Sequence, residues 1–112
     1  MSIERACAAL GDPTRLAMVE RLARGPASLS ELAAPLPMSL TAVSKHLAVL
    51  VEAGWVQRHK AGRVVTCRLL PGPLDEISRW SDDVRGWWDG ALDRLGAAIE
   101  PAARTIDHPN PL

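Results

Sequence analysis

Ser39-Leu-Thr-Ala-Val-Ser-Lys-His-Leu-Ala-Val-Leu-Val-Glu-Ala-Gly54 is the stretch on which the fold turns. Ser39 is placed to cap a helix, and Val43, Leu47 and Leu50 recur at the spacing of one buried helical stripe. Gly54 suits the left-handed position just past a helix end. The pattern changes at once afterwards. Trp55 to Lys60 and Val64 to Leu70 are rich in β-branched residues and read as two strands joined by a turn at Ala61-Gly62. A helix followed directly by a hairpin is therefore expected.

Working upstream, Ser28-Leu-Ser-Glu31 has the form of a capping box, and Pro35 and Pro37 keep the helix it starts short. Asp12-Pro13 reads as an N-cap and a first-turn proline. It opens a helix to about Arg24, with Leu16, Val19, Leu22 and Ala23 on one face and Gly25-Pro26 as its stop. Ile3, Ala6, Ala9 and Leu10 mark a first helix that Gly11 ends. Downstream, Pro71-Gly72-Pro73 separates the hairpin from a long helix over Leu74 to Ile99. That helix carries a broad apolar stripe of Ile77, Trp80, Val84, Trp87, Trp88, Ala91, Leu92, Leu95 and Ile99. The expected fold is mainly α with a small β-hairpin: a winged helix-turn-helix of five helices and a two-stranded wing. The domain fills residues 1–100, and a disordered tail over residues 101–112 is expected.

Formal net charge is zero over the 112 residues, which taken alone speaks against a nucleic-acid partner. The distribution reverses that inference. Residues 41–69 hold Lys45, Arg58, Lys60, Arg63 and Arg68 against Glu52 alone, whereas residues 70–112 hold eight acids against four arginines. A basic middle and an acidic end fit a chain whose middle touches phosphate. With Val43, Leu47 and Leu50 inward, Ser39, Thr41, Ala42, Ser44, Lys45 and His46 are the candidates to face the DNA major groove. Arg58, His59, Lys60 and Arg63 are the candidates on the wing, where they would supply affinity and salt dependence.

Asp12-Pro-Thr-Arg-Leu16, Leu29-Ser-Glu-Leu-Ala33, Thr41-Ala-Val-Ser-Lys-His-Leu47 with Leu50, and Glu52-Ala-Gly-Trp-Val56 together resemble the ArsR family of bacterial repressors, and Arg63-Val-Val-Thr-Cys-Arg-Leu69 is similar to that family's second wing strand. The resemblance covers about residues 3–95. It implies a homodimer paired through its first and last helices, a repressor of transcription that binds operator DNA (an inverted repeat, for a twofold reader) at its own or an adjacent promoter. The candidate interface is Ile3, Ala6 and Leu10 with Trp80, Val84, Trp87, Trp88, Leu92 and Leu95. The final helix supports this independently, because its apolar face exceeds what one small core can cover.

The resemblance also raises metal sensing, for which two sites recur in the family. Cysteines before the recognition helix form one, but Glu31-Leu-Ala-Ala-Pro-Leu-Pro37 has no thiol. Asp and His ligands on the final helix form the other, and that helix has Asp75, Glu76, Asp82, Asp83, Asp89 and Asp93 without a histidine. Carboxylates alone serve zinc, nickel or arsenic poorly, so no familiar metal site and no cofactor are expected. Cys67 alternates with Val65 and Leu69 and is expected in the packed face of the wing. Cys7 lies near the presumed seam. A metal- or redox-responsive repressor using Cys7 or Cys67 is the alternative, and a winged-helix protein–protein adaptor a further one. An enzyme is not expected, because no nucleophile–base pair or Gly-rich phosphate loop is present. Without a basic segment followed by an apolar run at the start, and without about 18 consecutive apolar residues, a cytoplasmic protein is expected.

Overall fold

The computed structural model describes residues 2–98. Helix α1, Ile3–Leu10, is capped by the Ser2 hydroxyl and ends at Gly11. Helix α2, Pro13–Leu22, begins at Asp12, whose carboxylate accepts from the Thr14 and Arg15 amides. Proline at its first position loses nothing, since that amide has no partner in a helix. Strand β1, Ala27–Ser28, leads into helix α3, Leu29–Ala33. Both halves of the capping box form: Ser28 Oγ accepts from the Glu31 amide, and Glu31 Oε1 accepts from the Ser28 amide, each at 3.1 Å.

Helix α4, Leu40–Glu52, starts at Ser39, whose hydroxyl accepts from the Ala42 amide at 3.1 Å. It ends in a Schellman turn. The Trp55 amide donates to the Leu50 carbonyl and the Gly54 amide to the Val51 carbonyl, with Gly54 at φ +83°. Only glycine takes that backbone conformation without cost, so Gly54 fixes where the helix stops. Strands β2, Val56–Ala61, and β3, Val64–Leu69, then pair from Val56↔Leu69 to Ala61↔Val64. Their two-residue loop places Gly62 first, at φ +62°, as a type II′ hairpin turn requires. Helix α5 covers Gly72–Ala98.

The chain divides into two units, Met1–Ile77 and Ser78–Leu112. The first unit holds the core, in which Ala6, Met18, Leu22, Leu32, Val43, Leu47, Leu50, Trp55, Val56 and Cys67 are buried and Ile77 packs against them. Trp55 is its largest member, and the indole Nε1–H donates to the Ala6 carbonyl at 2.8 Å. The second unit holds the rest of α5.

Five helices and the basic hairpin match the sequence expectation, with four differences. The sheet has three strands in the order β1-β3-β2, because Ala27 pairs with Cys67 and Ser28 with Thr66. Two residues are too short to show strand periodicity, and the local signal at Ser28 is that of a helix cap. The buried face of α2 is Met18, Val19 and Leu22, whereas Leu16 and Ala23 are exposed. Helix α2 also stops at Leu22, before Arg24. Finally, α5 begins two residues early, taking in Gly72 and the buried Pro73 at positions that tolerate proline. Ile99 of the apolar stripe and the expected disordered tail lie outside the described residues. Among the described residues no helix is long and apolar enough to cross a membrane.

Replacing Trp55 with Phe removes the donor to Ala6 and part of the largest buried ring. Urea denaturation should show a loss of about 1–3 kcal/mol in unfolding free energy, from one lost hydrogen bond and a smaller buried ring.

Candidate nucleic-acid interface

Helix α4 turns Val43, Leu47 and Leu50 into the core, and this fixes what its other faces present. Thr41, Lys45 and Ala48 lie four and three residues apart and are all exposed, so they form one outer stripe. Ala42 and Ser44 flank that stripe and are half-buried. Ser39 is exposed, and although its oxygen accepts the capping bond, the hydroxyl proton and a second lone pair remain free. Leu40, the first residue of the helix, is 52% exposed. Neither Leu40 nor Ala48 stands out in the sequence, where apolar residues of a helix are ordinarily assigned inward.

His46 departs from the expectation of an outward ring. It is half-buried, with Nδ1 3.3 Å from Arg15 Nη1 and 3.9 Å from Asp12 Oδ1, at the start of α2. The Arg15 amide above all, with the Thr14 amide and the Arg15 guanidinium, holds the Asp12 carboxyl below its usual range, with burial opposing them. Arg15 Nε donates to the Ala9 carbonyl at 2.6 Å. Arg15 also lines a cleft of about 320 Å³ with Arg5, Ala8, Ala9, Val49, Glu52 and Ala53.

On the wing, Arg58, His59, Lys60 and Arg63 are all exposed. Strand alternation separates them. Arg58 and Lys60 share the face that pairs with Cys67 and Val65, His59 is on the opposite face beside Thr66, and Arg63 is in the loop. Arg68 donates across the strand pair to Gln57 Oε1 at 2.8 Å. Among the described residues Lys45, Arg58, Lys60 and Arg63 form no side-chain hydrogen bond or salt bridge, so the cations of α4 and the hairpin tip remain available to an anion.

The presumed dimer residues fall into two groups. In the first unit, Ile3 and Leu10 are half-buried, whereas Ala6 is fully buried in its own core and has no surface to offer a partner. Its carbonyl is occupied by Trp55 from the inside. In the second unit, Trp80, Val84, Trp87, Trp88 and Leu95 are exposed and Leu92 is half-buried. The Trp87 and Trp88 rings lie 6.5 Å apart, tilted by 38°. An exposed row of three tryptophans is rare on a surface that stays in water.

Both cysteines are free; Cys7 is exposed and Cys67 is fully buried, pointing inward as its alternation with Val65 and Leu69 predicts. Burial pushes the Cys67 thiol up, with Arg58 opposing. Among the described residues no three His, Cys, Asp or Glu gather as metal ligands.

A family profile described as a helix-turn-helix domain matches residues 10–56. The chain is 44% identical over 99 residues to the HTH-type transcriptional regulator Rv2034 of Mycobacterium tuberculosis, covering 88% of this chain and 90% of the relative. Among solved structures it is similar to an ArsR family transcriptional regulator, with 41% identity, a TM-score of 0.74, and coverage of 77% of this chain and 89% of the other. It is also similar to the homodimeric winged helix-turn-helix DNA-binding domain of a possible ArsR-family regulator from Mycobacterium bovis. That match has 25% identity and a TM-score of 0.57 and covers 82% of each chain.

The two cysteines should react differently. In the native protein a thiol reagent should label Cys7 alone, and Cys67 should become reactive only on unfolding; fast labelling of both would contradict the packing of β3.

Proposed function

The chain belongs to the ArsR family of winged helix-turn-helix transcriptional regulators, and we propose that it acts as a homodimeric repressor at its own or an adjacent promoter, on an inverted-repeat operator. The family is one of DNA-binding regulators rather than enzymes. Helix α4 enters the major groove with Ser39, Thr41, Ser44 and Lys45 toward the bases, and exposed Leu40 and half-buried Ala42 are small apolar partners for a thymine methyl. Arg58, Lys60 and Arg63, with His59, meet the backbone on the wing side. The observation that carries this reading is the outer stripe of α4, exposed and unpaired, on a helix followed at once by a hairpin with three unpaired cations. Its place of action is the cytoplasm, with the DNA.

Pairing through α1 and α5 supplies the second half-site reader. The exposed Trp80, Trp87 and Trp88 supply the apolar area, and Ile3 and Leu10 are what α1 adds to it. The M. bovis relative is homodimeric, which supports the same assembly here. The alternative of a thiol-responsive repressor narrows to Cys7, because Cys67 is fully buried. Loss of DNA affinity on oxidation, abolished by Cys7→Ser, would decide for it.

Three measurements test the reading, using a duplex that the purified protein selects from a random-sequence pool. Lys45→Ala should weaken binding by about 1–3 kcal/mol if the lysine meets a base, and unchanged affinity would remove it from the reading surface. Replacing Arg58, Lys60 and Arg63 together with Ala should flatten the dependence of log K on log salt by roughly 0.9 for each phosphate no longer neutralised. Trp87→Ala with Trp88→Ala should give a monomer in light scattering and abolish binding; a persistent dimer would show that α5 is not the main seam.

A further inference from the structure

We propose that His46 is a positioning residue, whose Nδ1 ties the DNA-reading helix to the start of α2 through Arg15, and not a base-contacting one. The inference rests on the reading of α4 as the DNA-reading helix, and otherwise on geometry alone.

Arg15 occupies a junction of three helices. Its Nε donates to the Ala9 carbonyl near the end of α1, its own amide caps on Asp12 at the start of α2, and Nη1 lies 3.3 Å from His46 Nδ1 on α4. A guanidinium has donors and no acceptor, and it stays charged. The contact to His46 is therefore a hydrogen bond only if Nδ1 carries a lone pair, which assigns the neutral imidazole with its proton on Nε2. Asp12 Oδ1, at 3.9 Å from Nδ1, is too distant for a hydrogen bond and already accepts two amides. It acts by fixing the first turn of α2, from which Arg15 departs.

The value of such a tie follows from what the core cannot do. Val43, Leu47 and Leu50 hold α4 by burial, which is strong but non-directional, and a helix on an apolar bed can roll by a fraction of a residue at small cost. Base readout does not tolerate that roll, because functional groups need placing to within about half an ångström. A directional bond from the side of α4 sets the roll, and hence the direction of Thr41 and Lys45, which lie on a different face from His46. The ring lies at 24% side-chain exposure beside Asp12 at 32%, shielded enough for the contact to persist.

The test uses the full chain and the duplex selected by the unaltered protein. Arg15→Ala and His46→Leu should each reduce affinity roughly ten- to a hundredfold, the scale of one charge-assisted hydrogen bond, and the double variant should be no weaker than either single one. His46→Asn places Oδ1 where Nδ1 stood and should recover most of the loss, with the preferred base sequence and the salt slope unchanged. Nitrogen NMR of the imidazole, without DNA, should find Nδ1 unprotonated at neutral pH, and Arg15→Ala should release the ring to a mixture of tautomers. Additive losses, a changed base preference in His46→Asn, or a protonated Nδ1 in the unaltered protein would each overturn the proposal. The imidazole measurement on the unaltered protein needs neither a duplex nor a variant, so its failure is distinguishable from failure of α4 as the reading helix.

Discussion

Trp55 sits where α4 ends and the wing begins, and its indole N–H reaches back to the Ala6 carbonyl of α1. Three parts of the first unit thus meet at one buried ring. Its amide closes the Schellman turn on Leu50, and its carbonyl accepts from the Leu70 amide at the far end of β3. The ring is fully buried in the core, while the backbone sets the exit of the chain from α4. The turn from α4 into the wing therefore depends on Trp55 and Gly54 together. The residues proposed to face DNA are exposed because the stripe of Val43, Leu47 and Leu50 takes the inward face of α4.

Much of this was legible in the residues. Ser39, Gly54, Asp12-Pro13 and Ser28-Leu-Ser-Glu31 carry local signals, because capping and left-handed backbone are decided within four residues of chain. Among the described residues, the helix boundaries given from the sequence were met to within two residues. Strand β1 was not legible, since two residues pair only because β3 is brought beside them. The same holds for the rotation of the α2 face toward Met18: which of two adjacent faces is buried depends on the partner surface.

The candidate site divides along the same line. Thr41, Lys45 and the hairpin cations were placed by periodicity, and the structure leaves them exposed and unpaired. His46 was misplaced by it, and Ala6 by the resemblance, which put α1 at a dimer seam. Periodicity assigns a side chain a direction, but the partner that takes it up comes from elsewhere, as Arg15 does for His46. A polar residue on the edge of a buried stripe is where this reasoning is weakest, because either neighbour can claim it. Arg15 offered one clue in the sequence, as it follows the Asp12 cap by three residues and so must leave the helix on the same side as the cap.

The division of charge gives the fold its orientation toward a partner. Helix α4 and the wing carry the unpaired cations, whereas α5 combines carboxylates with an exposed tryptophan row, a surface suited to another protein chain and repelled by phosphate. The most direct test of this account is a residue-by-residue map of amide NMR shifts as the selected duplex is titrated into the protein. The largest changes are expected over residues 39–48 and 58–63, with the Trp87–Trp88 region unaffected by DNA. Perturbation centred on the tryptophan row, with α4 silent, would contradict it.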